Sequence, residues 1–198
     1  MSMTNFEACA VIHQFRGDAL VTNTMSAMFA ITAVSPSPLN LASVPLMGGA
    51  SCLGLGLAMA QPERQVMVLD GDSSLLLELG SLAQIADVAP PKYIHFVFNN
   101  HLQFSGIANL ERPGRKADFC ALALGAGYAS AQKIDTVDAL TQAMPDLLAQ
   151  PGPHMVELEI AAPEKFTRET PQLEIPELQF TRMGAESAAM MDALGTTR

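Results

Sequence analysis

Hydrophobic positions along this chain follow two rhythms. Short apolar runs alternate with stretches whose apolar residues recur at helical spacing, which is the pattern of βαβ units around a mostly parallel sheet. Met3–Phe15 predicts a helix, with Phe6, Ala10, Ile12 and His13 spaced for one face. Asp18–Thr22 (DALVT) predicts the first strand and Met25–Ala33 the next helix. Ser35–Pro45 (SPSPLNLASVP) reads as a loop, because its three prolines neither continue a helix nor suit an inner strand. Gly48–Ala60 (GGASCLGLGLAMA) predicts a helix whose small residues let another backbone come close. Gln65–Leu69 (QVMVL) predicts a strand buried on both faces, followed by the turn Asp70-Gly71-Asp72-Ser73. One helix is expected next, carrying Leu75, Leu76, Leu79, Leu82, Ile85 and Ala86 on one face, capped by Ser73 or Ser74 and ended by Pro90-Pro91.

Tyr93–Phe98 (YIHFVF) predicts another central strand, which closes on Asn99-Asn100. The segment from His101 to Arg115 has few hydrophobic residues and reads as a binding loop or a disordered one. Asp118–Gly125 and Val137–Leu148 predict helices, and His154–Ile160 the last strand. Beyond Pro163 the chain turns polar and proline-spaced, so residues 163–198 are expected to form an arm outside the sheet, ending in a short helix near Ala185–Leu194. The expected fold is α/β: a three-layer, doubly wound, mostly parallel sheet over residues 1–162, with that C-terminal arm.

Composition narrows the functional classes. With 49% hydrophobic and 16% charged residues among 198, the chain has a globular balance. No apolar run is long enough to span a bilayer, and Met1–Phe15 carries Glu7 and His13 in place of a signal pattern, so a cytoplasmic protein without a membrane partner is expected. Cys9, Cys52 and Cys120 have no C-x-x-C spacing, which points to reduced, buried thiols and not to a disulfide framework or a zinc or iron-sulfur site. A net charge of -9 without a basic stripe makes nucleic acid a poor partner. An acidic chain can still hold an anionic cofactor, but through a bridging cation and backbone N–H groups.

Gly71-Asp72-Ser73 and Asn99-Asn100 each come directly after an apolar strand. In a parallel sheet both then lie at the carboxyl edge, where open α/β sheets bind ligands. A carboxylate at Asp72 and an amide oxygen at Asn100 suit Mg²⁺, a hard cation that takes one or two protein ligands and completes its octahedron with phosphate, carbonyl and water oxygens. A helix expected to start at Ser74 would aim its free N–H groups at the same volume, favouring phosphate.

The string LDGDSSLLLELGSLAQIADVAPPKYIHFVFNN resembles the GDG-x(24 to 30)-NN signature of thiamine diphosphate (ThDP) enzymes, with Ser73 in place of the third glycine. Pro45-Leu46-Met47-Gly48 and the ASCLGLGLA after it resemble the GSMG-x-ASSIGLGLA stretch of sulfopyruvate and phosphonopyruvate decarboxylases. The likeness runs from about Asp18 to Ala162. It implies that Asp72 and Asn100 ligate Mg²⁺ with their side chains and Leu102 with its main-chain carbonyl. It also implies that Gly71, Ser73 and Ser74 lie beside the diphosphate. Met47, next to Gly48, would wedge the cofactor into a bent shape, and the Pro45 carbonyl would hold its 4'-amino group. Bending brings that amino group to the thiazolium C2, so that proton removal becomes intramolecular.

Members of this family place ThDP between a diphosphate-binding and a pyrimidine-binding domain, and the latter supplies a glutamate. No such second domain is visible here. The resemblance to the β subunit of two-subunit sulfopyruvate decarboxylases therefore implies a separate pyrimidine-binding α subunit, an α2β2 or larger hetero-oligomer, and no catalytic residue in this chain. The implied activity is that of a lyase, a decarboxylase acting on a small 2-oxoacid. A ThDP-dependent carboligase subunit, or a scaffold subunit with a decayed site, is the alternative.

Three departures bear on substrate. His101-Leu102-Gln103-Phe104-Ser105 stands where relatives show N-G-x-Y-E-S after the paired asparagines, so the acid expected near Phe104 is absent. Thr22-Asn23-Thr24-Met25-Ser26 lacks the glycine of the relatives' N-x-G-x-x-S-[RK], and Ala27 cannot supply its basic residue. Among the scattered histidines, His101 is singled out because it adjoins a proposed ligand. Gly54-x-Gly56 is read as close helix packing, since it lacks a third glycine and precedes a strand. Asp72→Ala is expected to abolish metal-dependent cofactor binding and leave the fold intact.

Overall fold

The computed structural model describes residues 3–43, 47–104, 109–162 and 182–196. The chain runs α1 (Asn5–Phe15), β1 (Leu20–Asn23), α2 (Met25–Val34), β2 (Asn40–Ala42), α3 (Gly49–Ala60), β3 (Val66–Gly71), α4 (Asp72–Leu77) and α5 (Gly80–Val88). It continues through β4 (Tyr93–Asn99), β5 (Leu102–Phe104), β6 (Asn109–Glu111), α6 (Phe119–Ala126), β7 (Ser130–Ile134), α7 (Val137–Ala149), β8 (His154–Glu159) and α8 (Arg182–Ala193).

Six strands form one parallel sheet in the order β2-β1-β3-β4-β8-β7. One face packs Val21, Met67, Leu69, Ile94, Phe96, Phe98, Val156 and Leu158 against α1, α2 and α7. The other packs Leu20, Val66, Val68, Tyr93, Val97 and Met155 against α3, α5 and α6. The expected three-layer, doubly wound α/β fold is what the chain forms. Local signals start its helices: Thr4 and Glu7 make a reciprocal capping box at α1, and Asp118 and Thr136 cap α6 and α7.

The structure differs from the sequence reading in four places. The segment from His101 to Arg115, expected to be a loop or disordered, carries the antiparallel pair β5–β6. Within the expected loop 35–45, Asn40–Ala42 forms an edge strand, which needs pairing on one side only, so Pro36 and Pro38 need only precede it. Ser130–Ile134 is the opposite edge strand; with only Ile134 of its five residues buried it carries no apolar run to betray it. The single helix expected after the Gly71 turn is two, because the backbone leaves the helical region at Glu78 (φ -135°, ψ 45°).

Helix α3 packs tightly onto the sheet. Tyr93 donates its hydroxyl proton to the Ser51 carbonyl at 2.8 Å, and Thr22 donates to the Ala50 carbonyl at 2.9 Å. Gly54 faces that contact, and a Cβ there would lie 2.4 Å from Val68 Cγ2 and 3.0 Å from Thr22 Oγ1. At the far edge, α8 lies along β2, Glu186 accepts a hydrogen bond from the Ala42 N–H at 2.8 Å, and Met190 is buried in the core. Residues 163–181 of the expected arm lie outside the described residues. Cys9 is buried, which pushes its thiol up to about 12, and Cys120 is half-buried; Cys52, expected in the core, is exposed. Among the described residues no helix is long and apolar enough to cross a membrane.

The two α3 glycines give opposite expectations. Gly54→Ala overpacks against β1 and β3 and is expected to lower unfolding free energy by about 1–3 kcal/mol despite alanine's helix preference. At Gly56 nothing lies within 4 Å of an added Cβ. Gly56→Ala is therefore expected to raise stability by up to about 1 kcal/mol, and urea midpoints of the two variants test the pair.

Candidate functional site

Parallel pairing of β3 with β4, in the register Leu69↔Phe96 and Gly71↔Phe98, brings the two strand ends out side by side. Two hydrogen bonds then stitch together the turns that leave them, and two more brace them. Asp72 Oδ2 accepts from the His101 N–H at 3.1 Å, and Ser73 Oγ donates to the Leu102 carbonyl at 2.9 Å. Asn100 Oδ1 accepts from the Leu102 N–H at 3.0 Å. Ser74 Oγ accepts from the Gly48 N–H at 2.7 Å, which ties the loop before α3 to the same turn. Gly71, Asp72, Ser73, Ser74, Asn100, Leu102 and Gly48 are thus brought together, with Met47 half-buried beside Gly48. Pro45 lies outside the described residues.

Two local expectations change. Neither serine caps the helix: α4 starts at Asp72 with Gly71 as its N-cap and no side-chain cap, and both hydroxyls serve as cross-links instead. Gly48 is required where it stands, at φ 92°, because a Cβ would lie 2.3 Å from Glu78 Cγ.

Asp72 is only 3% exposed, and burial lifts its carboxyl above the ordinary value, opposed in part by the Ser73 N–H and the Arg112 charge. Arg112, 2% exposed and just beyond β6, is a member of the site that sequence reasoning missed. Its Nε lies 2.7 Å from Asp72 Oδ2, yet the N–H meets no acceptor in hydrogen-bond geometry, so the contact is an ion pair without a directed bond. One terminal nitrogen donates to the Gly114 carbonyl at 2.9 Å, and the guanidinium carbon stands 5.1 Å above the Phe119 ring. The signal in the sequence was the clustering of Arg112, Arg115 and Lys116 in an acidic chain. This pairing also corrects the expectation for Asp72→Ala, which strands a buried guanidinium and is expected to destabilise the fold.

Other polar contacts brace the turn. Asp70 accepts from the Gly71 N–H at 2.8 Å and faces His95 Nε2 at 3.3 Å, both side chains fully buried, while His95 Nδ1 meets the Tyr128 hydroxyl at 3.2 Å. Asn99, the first of the paired asparagines, donates to Glu157 at 2.7 Å. His101 Nε2 lies 2.5 Å from Glu159, which also pairs with Lys133 at 2.7 Å.

The backbone stays glycine-like where glycines are missing. Met25, two residues after Asn23, and His101, directly after the paired asparagines, take φ 50° and 59°. Such values cost a side chain about 1–2 kcal/mol. Ser73, replacing the third glycine of GDG, is helical and needs no such freedom.

Two observations test whether this edge fits a metal-bound diphosphate. The converging donors at Asp72, Asn100 and Leu102 are all oxygens, as a hard divalent cation requires. Asn23, last in β1, is 1% exposed with neither amide atom hydrogen-bonded, a cost that a ligand with acceptors and donors would relieve. The residues fit the group.

Residues 22–158 match the family model described as thiamine pyrophosphate enzyme, C-terminal TPP binding domain, and the chain belongs to that family. A phosphonopyruvate decarboxylase from Streptomyces hygroscopicus is 38% identical over 119 residues, which are 59% of this chain and 29% of that protein. A sulfopyruvate decarboxylase subunit beta from Methanothermobacter thermautotrophicus is 43% identical over 68 residues, 34% of this chain and 36% of that one. The matches thus span about a third of these relatives' length. A solved ThDP-dependent 4-hydroxybenzoylformate decarboxylase from Rhodococcus jostii superposes with a TM-score of 0.67 at 22% identity, covering 82% of this chain and 33% of that chain; this likeness concerns the fold.

His95→Leu removes the partner of Asp70 Oδ2 and leaves a buried carboxylate oxygen unmet. It is expected to cost about 1–3 kcal/mol, read as a fall in the urea midpoint, and an unchanged midpoint would show that the pair braces nothing.

Proposed function

We propose that the chain is the diphosphate-binding β subunit of a ThDP- and Mg²⁺-dependent decarboxylase of a small 2-oxoacid, working in the cytoplasm with a separate pyrimidine-binding α subunit in an α2β2 or larger assembly. Residues 1–162 form the cofactor-binding unit and residues 163–198 an arm. The observation that carries the reading is the hydrogen-bonded convergence of Asp72, Asn100 and Leu102 at one sheet edge in a member of this family. The partner is supported by relatives named as a subunit beta, and the reaction class by relatives named as decarboxylases.

In this reading Asp72 and Asn100 bind Mg²⁺ with side-chain oxygens and Leu102 with its carbonyl. Gly71, Ser73, Ser74 and Gly48 border the diphosphate, Ser73 and Ser74 offering hydroxyls once their present cross-links adjust. Met47 supports the bent cofactor and the Pro45 carbonyl holds its amino group. When bound, ThDP supplies the nucleophilic carbon and the electron sink for loss of carbon dioxide. The chain's own contribution is to fix the diphosphate end rigidly and to keep water from it, leaving the proton-handling glutamate to the partner subunit.

Isothermal calorimetry with ThDP and Mg²⁺ tests the reading on the full chain, alone and mixed with its partner. Asp72→Asn is the milder variant, since it keeps the side-chain volume and an acceptor oxygen beside Arg112 although the guanidinium loses its counter-charge. It is expected to weaken metal-dependent ThDP binding by about 100-fold or more while the far-UV circular dichroism is retained. Absence of wild-type binding in every mixture would leave a scaffold subunit as the better description.

A further inference from the structure

We propose that Arg112 couples the two parts of the cofactor, admitting the divalent cation only together with the diphosphate. This rests on the cofactor site proposed above and adds a residue outside its Gly-Asp-Ser and Asn-Asn motifs.

Arginine stays cationic under all ordinary conditions. Here it is 2% exposed and lies 2.7 Å from the one carboxylate among the three proposed metal ligands. It has little room to withdraw, being held by the Gly114 carbonyl at 2.9 Å and by the Phe119 ring beneath it. The backbone N–H of Arg112 donates to the His101 carbonyl at 2.9 Å, and the His101 N–H donates to Asp72, so cation and carboxylate are fixed to the same short turn.

Charge then decides what can enter. Asp72 and Arg112 together are neutral. A lone divalent cation placed on Asp72 would stand close to a fixed positive charge with water excluded, and the two cations would compete for one carboxylate. A lone diphosphate would meet Arg112 favourably but also face the Asp72 carboxylate with no metal between them. With both present, the anionic diphosphate outweighs the added metal charge, and Arg112 becomes a partner of the complex instead of a rival of the metal. The Nε–H, with no acceptor of its own, is left to donate to a phosphate oxygen without the guanidinium leaving its place. Such an arrangement keeps the site from filling with free metal ions and makes each component raise the affinity of the other, as linkage requires.

Mn²⁺ binding to the chain, alone and mixed with its partner subunit, counted by electron paramagnetic resonance with and without ThDP, tests this. Wild type is expected to bind Mn²⁺ weakly alone and much more tightly with ThDP. Arg112→Gln is expected to bind Mn²⁺ alone on the order of 5-fold or more tightly than wild type, and to lose at least that factor from the enhancement by ThDP. Arg112→Lys keeps the charge and is expected to keep the wild-type pattern; Arg112→Met repeats the neutral test should the glutamine variant not fold. Unchanged or weaker Mn²⁺ binding in the neutral variants, with wild-type Mn²⁺–ThDP binding present, overturns the coupling role alone. Failure of wild type to bind Mn²⁺ with ThDP both alone and in the mixture removes the cofactor reading and this inference with it.

Discussion

Everything at the candidate site depends on the register between β3 and β4. These two central strands run parallel with Gly71 opposite Phe98, so the residues that leave them emerge at one edge and at one height. A slip of one residue would turn every side chain of a strand to the other face, taking Val66 and Val68 out of one core and Met67 and Leu69 out of the other. Because both faces are buried, no such slip is tolerated, and the hydrogen bonds from His101 to Asp72 and from Ser73 to Leu102 result from that fixed spacing. The cores therefore position the chemistry. Segments far apart in sequence, from Gly48 to Leu102, meet because each ends or begins at the same border of the sheet.

That border concentrates charge and strain. Asp70 with His95, Glu157 with Lys133, and Asp72 with Arg112 are acidic groups sunk beside the sheet and matched by nearby partners. Removing one partner from such a pair costs more than the pair contributes, which makes the edge intolerant of substitution. Two left-handed side-chain residues, Met25 and His101, lie on the same border. Strain of this kind persists where the surrounding structure over-determines the backbone: the Thr24 N–H bonds the Leu69 carbonyl, and the His101 N–H is shared by Asp72 and Asn99.

The features legible in the sequence were those that announce themselves locally. QVMVL and YIHFVF are apolar without interruption because both of their faces are covered, and the glycine, aspartate and asparagine motifs stand directly behind them. The edge strands escaped notice for the opposite reason. Asn40–Ala42 is three residues behind two prolines, and Ser130–Ile134 mixes polar and apolar residues because one side of it meets water. Arg112 could not be assigned from spacing at all. Its partner lies far back along the chain, and only the short β5–β6 pairing folds it back over Phe119 and onto Asp72. Likewise the serines after Asp72 carry ordinary capping chemistry, and nothing short of the folded loop before α3 diverts Ser74 to Gly48.

The lie of α8 along β2 has a consequence for how this molecule meets its neighbours. An open sheet ends in a row of unpaired amide groups that can recruit a strand from another chain and grow without limit. Here the outermost Ala42 N–H is occupied by Glu186, and the helix carrying that glutamate is anchored by Met190, so a foreign strand would have to dislodge a buried side chain before it could add. That rim is thereby withdrawn from open-ended polymerisation.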